Sequence, residues 1–277
     1  MKRSTIMPTV TSKDGTSIAY DRSGEGPAVI LVDGALCFRT FGPMESLAAL
    51  LAPHCSVVAY DRRGRGESGD TAPYAVEHEV EDIEALIDTV GGAAGVYSIS
   101  SGGFLALEAA HRLPDKITRL AIYEPPCSLD AGGIPGFIEY RRQLNELLAA
   151  GRRGEAVTLF MRFVGAGLAG DPSSKPEDAG AQLRQSPVWP IFESVAPTLA
   201  YDAATMGDSS VPTEQAAGMT VPLLALAGGA SPAWMQQAAQ AVADAAASGK
   251  YGVLEGQTHD VAAEALAPVL IEFFTAH

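Results

Sequence analysis

Ser100 and His259 have the residue types and the settings for acyl-transfer chemistry. The segment Val96-Tyr-Ser-Ile-Ser-Ser-Gly-Gly103 leaves an apolar run, passes through small residues and enters a helical pattern. A nucleophile presented on a tight strand-to-helix turn needs small residues two before and two after it, the Gly-x-Ser-x-Gly spacing. Ser98-Ile99-Ser100-Ser101-Gly102 has that spacing, with Ser98 in place of the first glycine. Ser100 is therefore the candidate nucleophile; the competing reading is a serine-rich helix cap without chemistry. A serine hydroxyl also needs a base to take its proton. The histidines are His54, His78, His111, His259 and His277. His78 and His111 fall inside helical patterns, His54 precedes a strand, and His277 is the last residue. His259 falls in the loop Gln257-Thr-His-Asp260, between the last strand and the last helix. From there an imidazole can reach across a sheet edge to a serine. A lone loop histidine is ordinarily a surface residue, and it is the pairing with the Ser100 turn that favours a base.

The elements that must position these residues are legible as apolar runs. Ala28–Val32, Cys55–Tyr60, Gly95–Ser98, Ile117–Tyr123, Pro222–Ala227 and Lys250–Leu254 are short and apolar on both faces, as strands of a buried parallel sheet are. Ser17–Asp21 alternates and reads as a further strand or hairpin arm. Helical patterns separate them. Val76, Val80, Ile83, Ile87 and Val90 recur at steps of three and four before Gly91-Gly92. Ser101–Leu113, Trp234–Ala247 and Ala263–Phe274 follow the later strands. This alternation predicts a doubly wound, mostly parallel α/β sheet. One stretch breaks it. From about Ser128 to Met219 no strand-like run occurs, and amphipathic patterns lie at Phe137–Ala149, Glu155–Leu168 and Pro190–Met206. The expected organisation is a core over residues 1–127 and 220–277 with a helical lid over 128–219. Phe160, Met161, Phe163, Trp189 and Phe192 of that insertion either line a substrate pocket or pack the lid onto the body.

Three motifs carry a resemblance: the turn at Ser100, the segment Asp61-Arg-Arg-Gly-Arg-Gly-Glu-Ser68, and the histidine loop Gly256–Asp260. On them the chain resembles the α/β-hydrolase superfamily, specifically its lid-bearing, single-domain serine hydrolases. The Asp61 segment is similar to the family's Asp-x-Arg-Gly-x-Gly-x-Ser turn. The resemblance implies an oxyanion hole made by the backbone N–H groups of Ser101 and Ala35. Relatives often carry His-Gly in the second loop, where this chain has Asp33-Gly34-Ala35. A carboxylate beside an oxyanion would destabilise it, so the Asp33 side chain is expected to point away; otherwise the reaction is not ordinary ester hydrolysis. Relatives often place the triad acid after the seventh strand, but Gly228–Pro232 holds no carboxylate. Glu124, at the tip of the preceding sheet strand, is then the candidate acid, with Asp33 its main rival and Glu214 and Asp260 weaker ones. The implied reaction is cleavage of an ester, or of a lactone, thioester or activated amide, through an acyl-enzyme on a small, largely apolar substrate. Other outcomes on the same fold are a lyase, cyclase or cofactor-free oxygenase, or a non-catalytic binding protein. Dehalogenase and epoxide hydrolase readings are disfavoured, since those resemble this fold with an Asp where Ser100 stands.

Composition bounds the partners. A net charge of −14, with 19 Lys and Arg against 33 Asp and Glu, argues against nucleic acid and against anionic membranes. Cys37, Cys55 and Cys127 have neither disulfide-framework nor zinc spacing, and read as buried small residues. No signal-like apolar run follows Lys2 and Arg3, so the expectation is a cytoplasmic protein. Gly64-Arg-Gly-Glu-Ser-Gly69 satisfies Gly-x-Gly-x-x-Gly, but Thr71-Ala-Pro73 intervenes before the next helix, and a pyrophosphate needs a helix N-terminus at the glycines. Arg62, Arg63 and Arg65 read as structural or solvated charges. No metal or organic cofactor is implied. The expected partner is the small-molecule substrate, and no pattern in the sequence specifies an oligomeric state.

Overall fold

The computed structural model describes residues 8–130, 133–168 and 183–276. β1 (Thr9–Thr11) and β2 (Ser17–Ser23) form an antiparallel edge. The remaining strands are β3 (Ala28–Val32), β4 (Ser56–Tyr60), β5 (Ala94–Ile99), β6 (Ile117–Tyr123), β7 (Leu223–Gly228) and β8 (Gly249–Leu254). These six are parallel to one another, and the eight-stranded sheet runs β1-β2-β4-β3-β5-β6-β7-β8. The doubly wound, mostly parallel sheet expected of the apolar runs is the one observed. β1 and the short helix α1 (Met44–Leu51) carried no comparable signal.

Why the runs are apolar on both faces follows from the layers. Side chains alternate across a strand, and each face meets helices. Ile30, Val32, Val58, Tyr60, Val96, Leu120 and Ile122 pack in one cluster with α2 (Val76–Thr89), α3 (Gly102–Arg112) and α9 (Ala233–Ala245). Their neighbours Val29, Leu31, Val57, Ala59, Tyr97, Ala121 and Tyr123 pack on the other face with α1 and α10 (Ala263–Thr275).

The strand order reverses at β3, which has β4 on one side and β5 on the other. Connections leaving the C-terminal ends of β3 and β5 diverge there, and open α/β sheets bind ligands in the crevice this leaves. Between β6 and β7 lie α4 (Phe137–Ala149), α5 (Arg153–Leu168), α6 (Trp189–Val195), a 3₁₀ turn at Ala196–Thr198, α7 (Leu199–Thr205) and α8 (Thr213–Gly218). The apolar faces of α4 to α7 gather around Phe137, Tyr140, Leu144, Ala156, Val195 and Leu199, and close on Leu36, Ala35 and Phe38 of the loop after β3, whereas Ala216 of α8 joins the sheet cluster. Among the described residues, no helix is long and apolar enough to cross a membrane.

The arginines of the Asp61 segment are not solvated. Arg62, Arg63 and Arg65 are among the largest fully buried side chains. Each guanidinium is matched by carboxylates or carbonyls. Arg63 donates two bonds to Asp82 (2.8 and 2.7 Å), one to Asp14 (2.8 Å) and one to the His78 carbonyl (3.0 Å). The glycine turn at residues 64–69 wraps Asp61, whose carboxylate accepts the Glu67 N–H (2.8 Å) and the Arg39 N–H (3.0 Å).

Removing one partner of a buried ion pair strands the other, a cost of about 3–5 kcal/mol. Arg63→Ala should therefore lower unfolding stability by about that amount in a denaturant titration. Arg63→Lys should recover only part of it, because an ammonium cannot match the planar fork that Asp82 accepts.

Candidate active site

Ser100 leaves β5 with φ of +57°, the left-handed region that is strained for a residue with a Cβ. Its N–H donates to the Tyr123 carbonyl (3.0 Å) on β6, so the sheet ladder runs up to the residue itself. The turn tolerates no bulk behind it. A Cβ on Gly102 would sit 2.6 Å from the Asp33 carbonyl oxygen, and one on Gly34 would sit 3.0 Å from Ser100 Cβ. The spacing of small residues around Ser100 is thus a packing requirement at the β3–β5 crevice.

Glu124 terminates β6, also at positive φ (+45°), and its side chain is 0% exposed. Burial of a carboxylate demands partners, and both oxygens have one. Oε1 accepts the Gly228 N–H (2.8 Å), and Oε2 lies 2.8 Å from His259 Nδ1. Because a carboxylate accepts, the imidazole proton sits on Nδ1, which leaves Nε2 as the free basic nitrogen. The histidine loop is held from below. The Tyr123 hydroxyl donates to the Thr258 carbonyl (2.6 Å), and the Ala230 N–H donates to the Gln257 carbonyl (2.9 Å).

Ser100 and His259 open onto one cavity of about 590 Å³. Ala35 and Ser101 line it too, as do Phe160 and Phe163 of α5. The structure thus brings together Ser100, His259, Glu124, Ala35, Ser101, Phe160 and Phe163. It does not bring Trp189 or Phe192 there, which corrects their assignment to the pocket wall. Trp189 packs against Gly154 and lines a separate surface hollow, with the Arg184 guanidinium 5.8 Å from its ring centroid. Phe192 packs edge-on to Phe41 at 5.5 Å. Both lie on the face of α6 that closes on other elements, a choice periodicity alone does not determine. Phe137 and Tyr140 of α4, with Trp234 and Met235 of α9, supply wall that the sequence reading overlooked.

Asp33, the main rival acid, is not at His259. Both its oxygens are buried without a hydrogen-bond partner, with Oδ1 facing Gly42 beside Cys37. Burial pushes its carboxyl up to about 7 against the pull of the Arg65 and Arg62 guanidiniums, with Asp61 adding a smaller upward push. Burial, reinforced by Asp33, likewise pushes the Cys37 thiol up to about 12. Glu214 sits in α8, and Asp260 is exposed at the cavity rim.

A residue no motif pointed to also reaches the cavity. Asp202 of α7 accepts Arg62 Nη1 (2.7 Å) and the Ser101 hydroxyl (2.9 Å) on Oδ1, and Arg65 Nη2 (2.7 Å) on Oδ2. Although burial opposes it, the two guanidiniums hold its carboxyl below the usual range. The only sequence signal was a lone acid in the apolar stretch Ala196–Ala204.

Residues 26–269 match the model of the alpha/beta hydrolase family, and the chain belongs to that family. An alpha/beta hydrolase from Sphaerobacter thermophilus DSM 20745 is 52% identical, with a TM-score of 0.85 over 97% of this chain and 100% of that one. A thermophilic esterase from Thermogutta terrifontis, solved with malate bound, shares the fold at 22% identity and a TM-score of 0.74, covering 96% of this chain and 97% of that one. Lipase LipV of Mycobacterium tuberculosis is 31% identical over 83 residues, 30% of this chain. The matched stretch spans only 32% of that lipase.

Asp33 makes stability depend on pH with a known sign. Its folded pKa lies above the usual carboxylate value, so the folded state binds the extra proton between about pH 4 and 7. Stability from this group is full below that window and is lost as pH rises through about 7. Asp33→Asn removes the charge penalty, so the melting temperature of the variant relative to wild type should be higher at pH 8 than at pH 5. A difference independent of pH would show that Asp33 stays ionised throughout.

Proposed function

We propose that the protein is a serine hydrolase that cleaves a carboxylic ester of a small, largely apolar substrate through an acyl-enzyme; lactones, thioesters and activated amides fall within the same chemistry. One observation carries the reading. A buried Glu124 lies 2.8 Å from His259 Nδ1, and that histidine shares a cavity with a serine held at positive φ. Nε2 of His259 takes the Ser100 proton as Oγ attacks the substrate carbonyl. The N–H groups of Ala35 and Ser101 stabilise the resulting oxyanion. The alcohol leaves with the proton held on His259. A water deprotonated by the same nitrogen then releases the acid and regenerates Ser100. Glu124 keeps the tautomer correct and stabilises the imidazolium. The inserted helices act as a lid over this site. Phe137, Tyr140, Phe160, Phe163, Val164 and Met206 give the cavity its apolar wall, which supports an apolar acyl or alcohol group.

The test is turnover of p-nitrophenyl esters of increasing acyl length. Ser100→Ala should lose several orders of magnitude in kcat while remaining folded, since it loses one oxygen. Glu124→Gln should lower kcat by roughly 10² or more; the equivalent change in a serine protease costs about 10⁴. If Ser100→Ala retains near-normal turnover, another group attacks. If wild type turns over no ester and resists a fluorophosphonate probe, a non-hydrolytic reaction or a binding role replaces this reading.

Phe163 stacks on Tyr140 with ring centroids 4.5 Å apart at the cavity wall. Buried apolar area contributes roughly 25 cal/mol per Å². Phe163→Ala should therefore reduce kcat/KM for hexanoate esters more than for acetate esters. Equal losses on both would mean the ring only packs the lid.

A further inference from the structure

We propose that Asp202, on helix α7 of the insertion, is a positioning residue that fixes both arms of the oxyanion hole from the lid side. The inference rests on the serine-hydrolase reading but adds a residue to it. Asp202 is buried, and its three bonds lead to the two backbone segments that matter. On one side its Oδ1 accepts the Ser101 hydroxyl at 2.9 Å, which ties down the residue whose N–H forms the first arm. On the other side its Oδ2 accepts Arg65 Nη2 at 2.7 Å, and Arg65 Nη1 donates in turn to the Gly34 and Cys37 carbonyls. The Gly34 carbonyl and the Ala35 N–H belong to one peptide unit. A planar trans peptide points these groups in opposite directions. Drawing the Gly34 oxygen toward Arg65 therefore aims the Ala35 N–H the other way, toward the cavity that Ala35 lines. Arg62 repeats the device one residue earlier: Nη1 donates both to Asp202 Oδ1 (2.7 Å) and to the Asp33 carbonyl (3.2 Å). Arg62 is also clamped by Glu79 through two bonds (2.7 and 2.8 Å), so it cannot swing to follow a displaced α7. The Arg65 and Ser101 contacts that set the two donors therefore depend on α7 being seated.

The test compares wild type with Asp202→Asn, Asp202→Ala and Ser101→Ala, by ester kinetics and by backbone hydrogen exchange. Asp202→Asn keeps the shape and one acceptor, and so is the primary variant. It should lower kcat about 10- to 100-fold with KM within about twofold, a part of the 10²–10³ that loss of a whole oxyanion donor costs. Exchange should quicken at residues 34–37 and 101–102 while the rest of the sheet keeps its protection. Ser101→Ala, which removes a single bond, should give a smaller kcat loss and leave residues 34–37 unchanged. Unchanged protection at both stretches overturns the proposal, whether or not wild type turns over an ester. So does a uniform rise across the insertion and sheet, which is loss of structure, or lost protection with kcat intact. A rise in kcat also overturns it, because the Asp202 charge would then oppose the oxyanion more than its bonds position the donors. If neither wild type nor Ser100→Ala shows turnover, the hydrolase reading fails, and the exchange pattern alone decides whether Asp202 orders these loops.

Discussion

Hydrogen-bond register among β5, β6, β7 and β8 sets the depth at which Ser100, Glu124 and the loop of His259 leave the sheet. Ile99 stands opposite Tyr123, Tyr123 opposite Leu226, and Gly228 opposite Leu254. The ladder then continues past the strands: Ser100 N–H to the Tyr123 carbonyl, Glu124 N–H to the Leu226 carbonyl, and Gly229 N–H to the Leu254 carbonyl, at 3.0, 2.9 and 2.8 Å. Ser100, Glu124 and the loop of His259 therefore emerge from one continuous lattice rather than from three independent loops. A slip of one residue would turn every side chain of a strand to the opposite face. It would exchange Val96 for Tyr97 between two different cores, so the packing on both faces holds the register that aligns Ser100, Glu124 and the His259 loop.

The second constraint is charge. The surface is strongly acidic, yet Arg39, Arg62, Arg63 and Arg65 are buried. Buried ion pairs contribute little net stability compared with apolar packing, but they enforce one arrangement, because any other leaves a charge stranded. Here that arrangement joins distant parts of the chain. Arg62 meets Glu79 on the core helix α2 and Asp202 on the inserted helix α7, while Arg65 meets Asp202 and the loop after β3. The insertion is thereby tied to the body by directional bonds as well as by its apolar face.

How much of this was legible follows from the range of each signal. Strands apolar on both faces announce themselves locally, and the small residues around Ser100 record a steric demand that its neighbours must meet. Glu124 was legible as a carboxylate at a strand tip, given that Gly228–Pro232 offers none. The burial of Arg62 and Arg65 was not legible, since the carboxylate that answers both lies 140 and 137 residues away. For the same reason Asp202 looked like any helical acid. Trp189 and Phe192 fall on a helix at the expected place, but no residue of α6 lines the cavity, because where that helix sits is set by packing that periodicity does not record. α1 leaves no legible pattern, because eight residues give too short a period to read.

In the proposed reaction two carboxylates lie near the developing oxyanion and would ordinarily oppose it, and the two have opposite settings. Asp202 is kept ionised, with its carboxyl held low by two guanidiniums that also face the loop carrying Ala35. Its charge is answered at 2.7 Å by each arginine, so the field reaching the cavity comes from the ion cluster as a whole and not from a lone anion. Asp33 has no hydrogen-bonded cation, and burial holds its proton to about pH 7. Below that pH it is a neutral group beneath the loop carrying Ala35; above it, a charge met only by the Coulombic pull of Arg65 and Arg62. The departure from His-Gly at this position therefore does not by itself exclude an oxyanion mechanism. In the proposed mechanism the electrostatic requirement moves from the identity of residue 33 to its protonation, while Asp202 on the inserted helix α7 carries the charge that the arginines need.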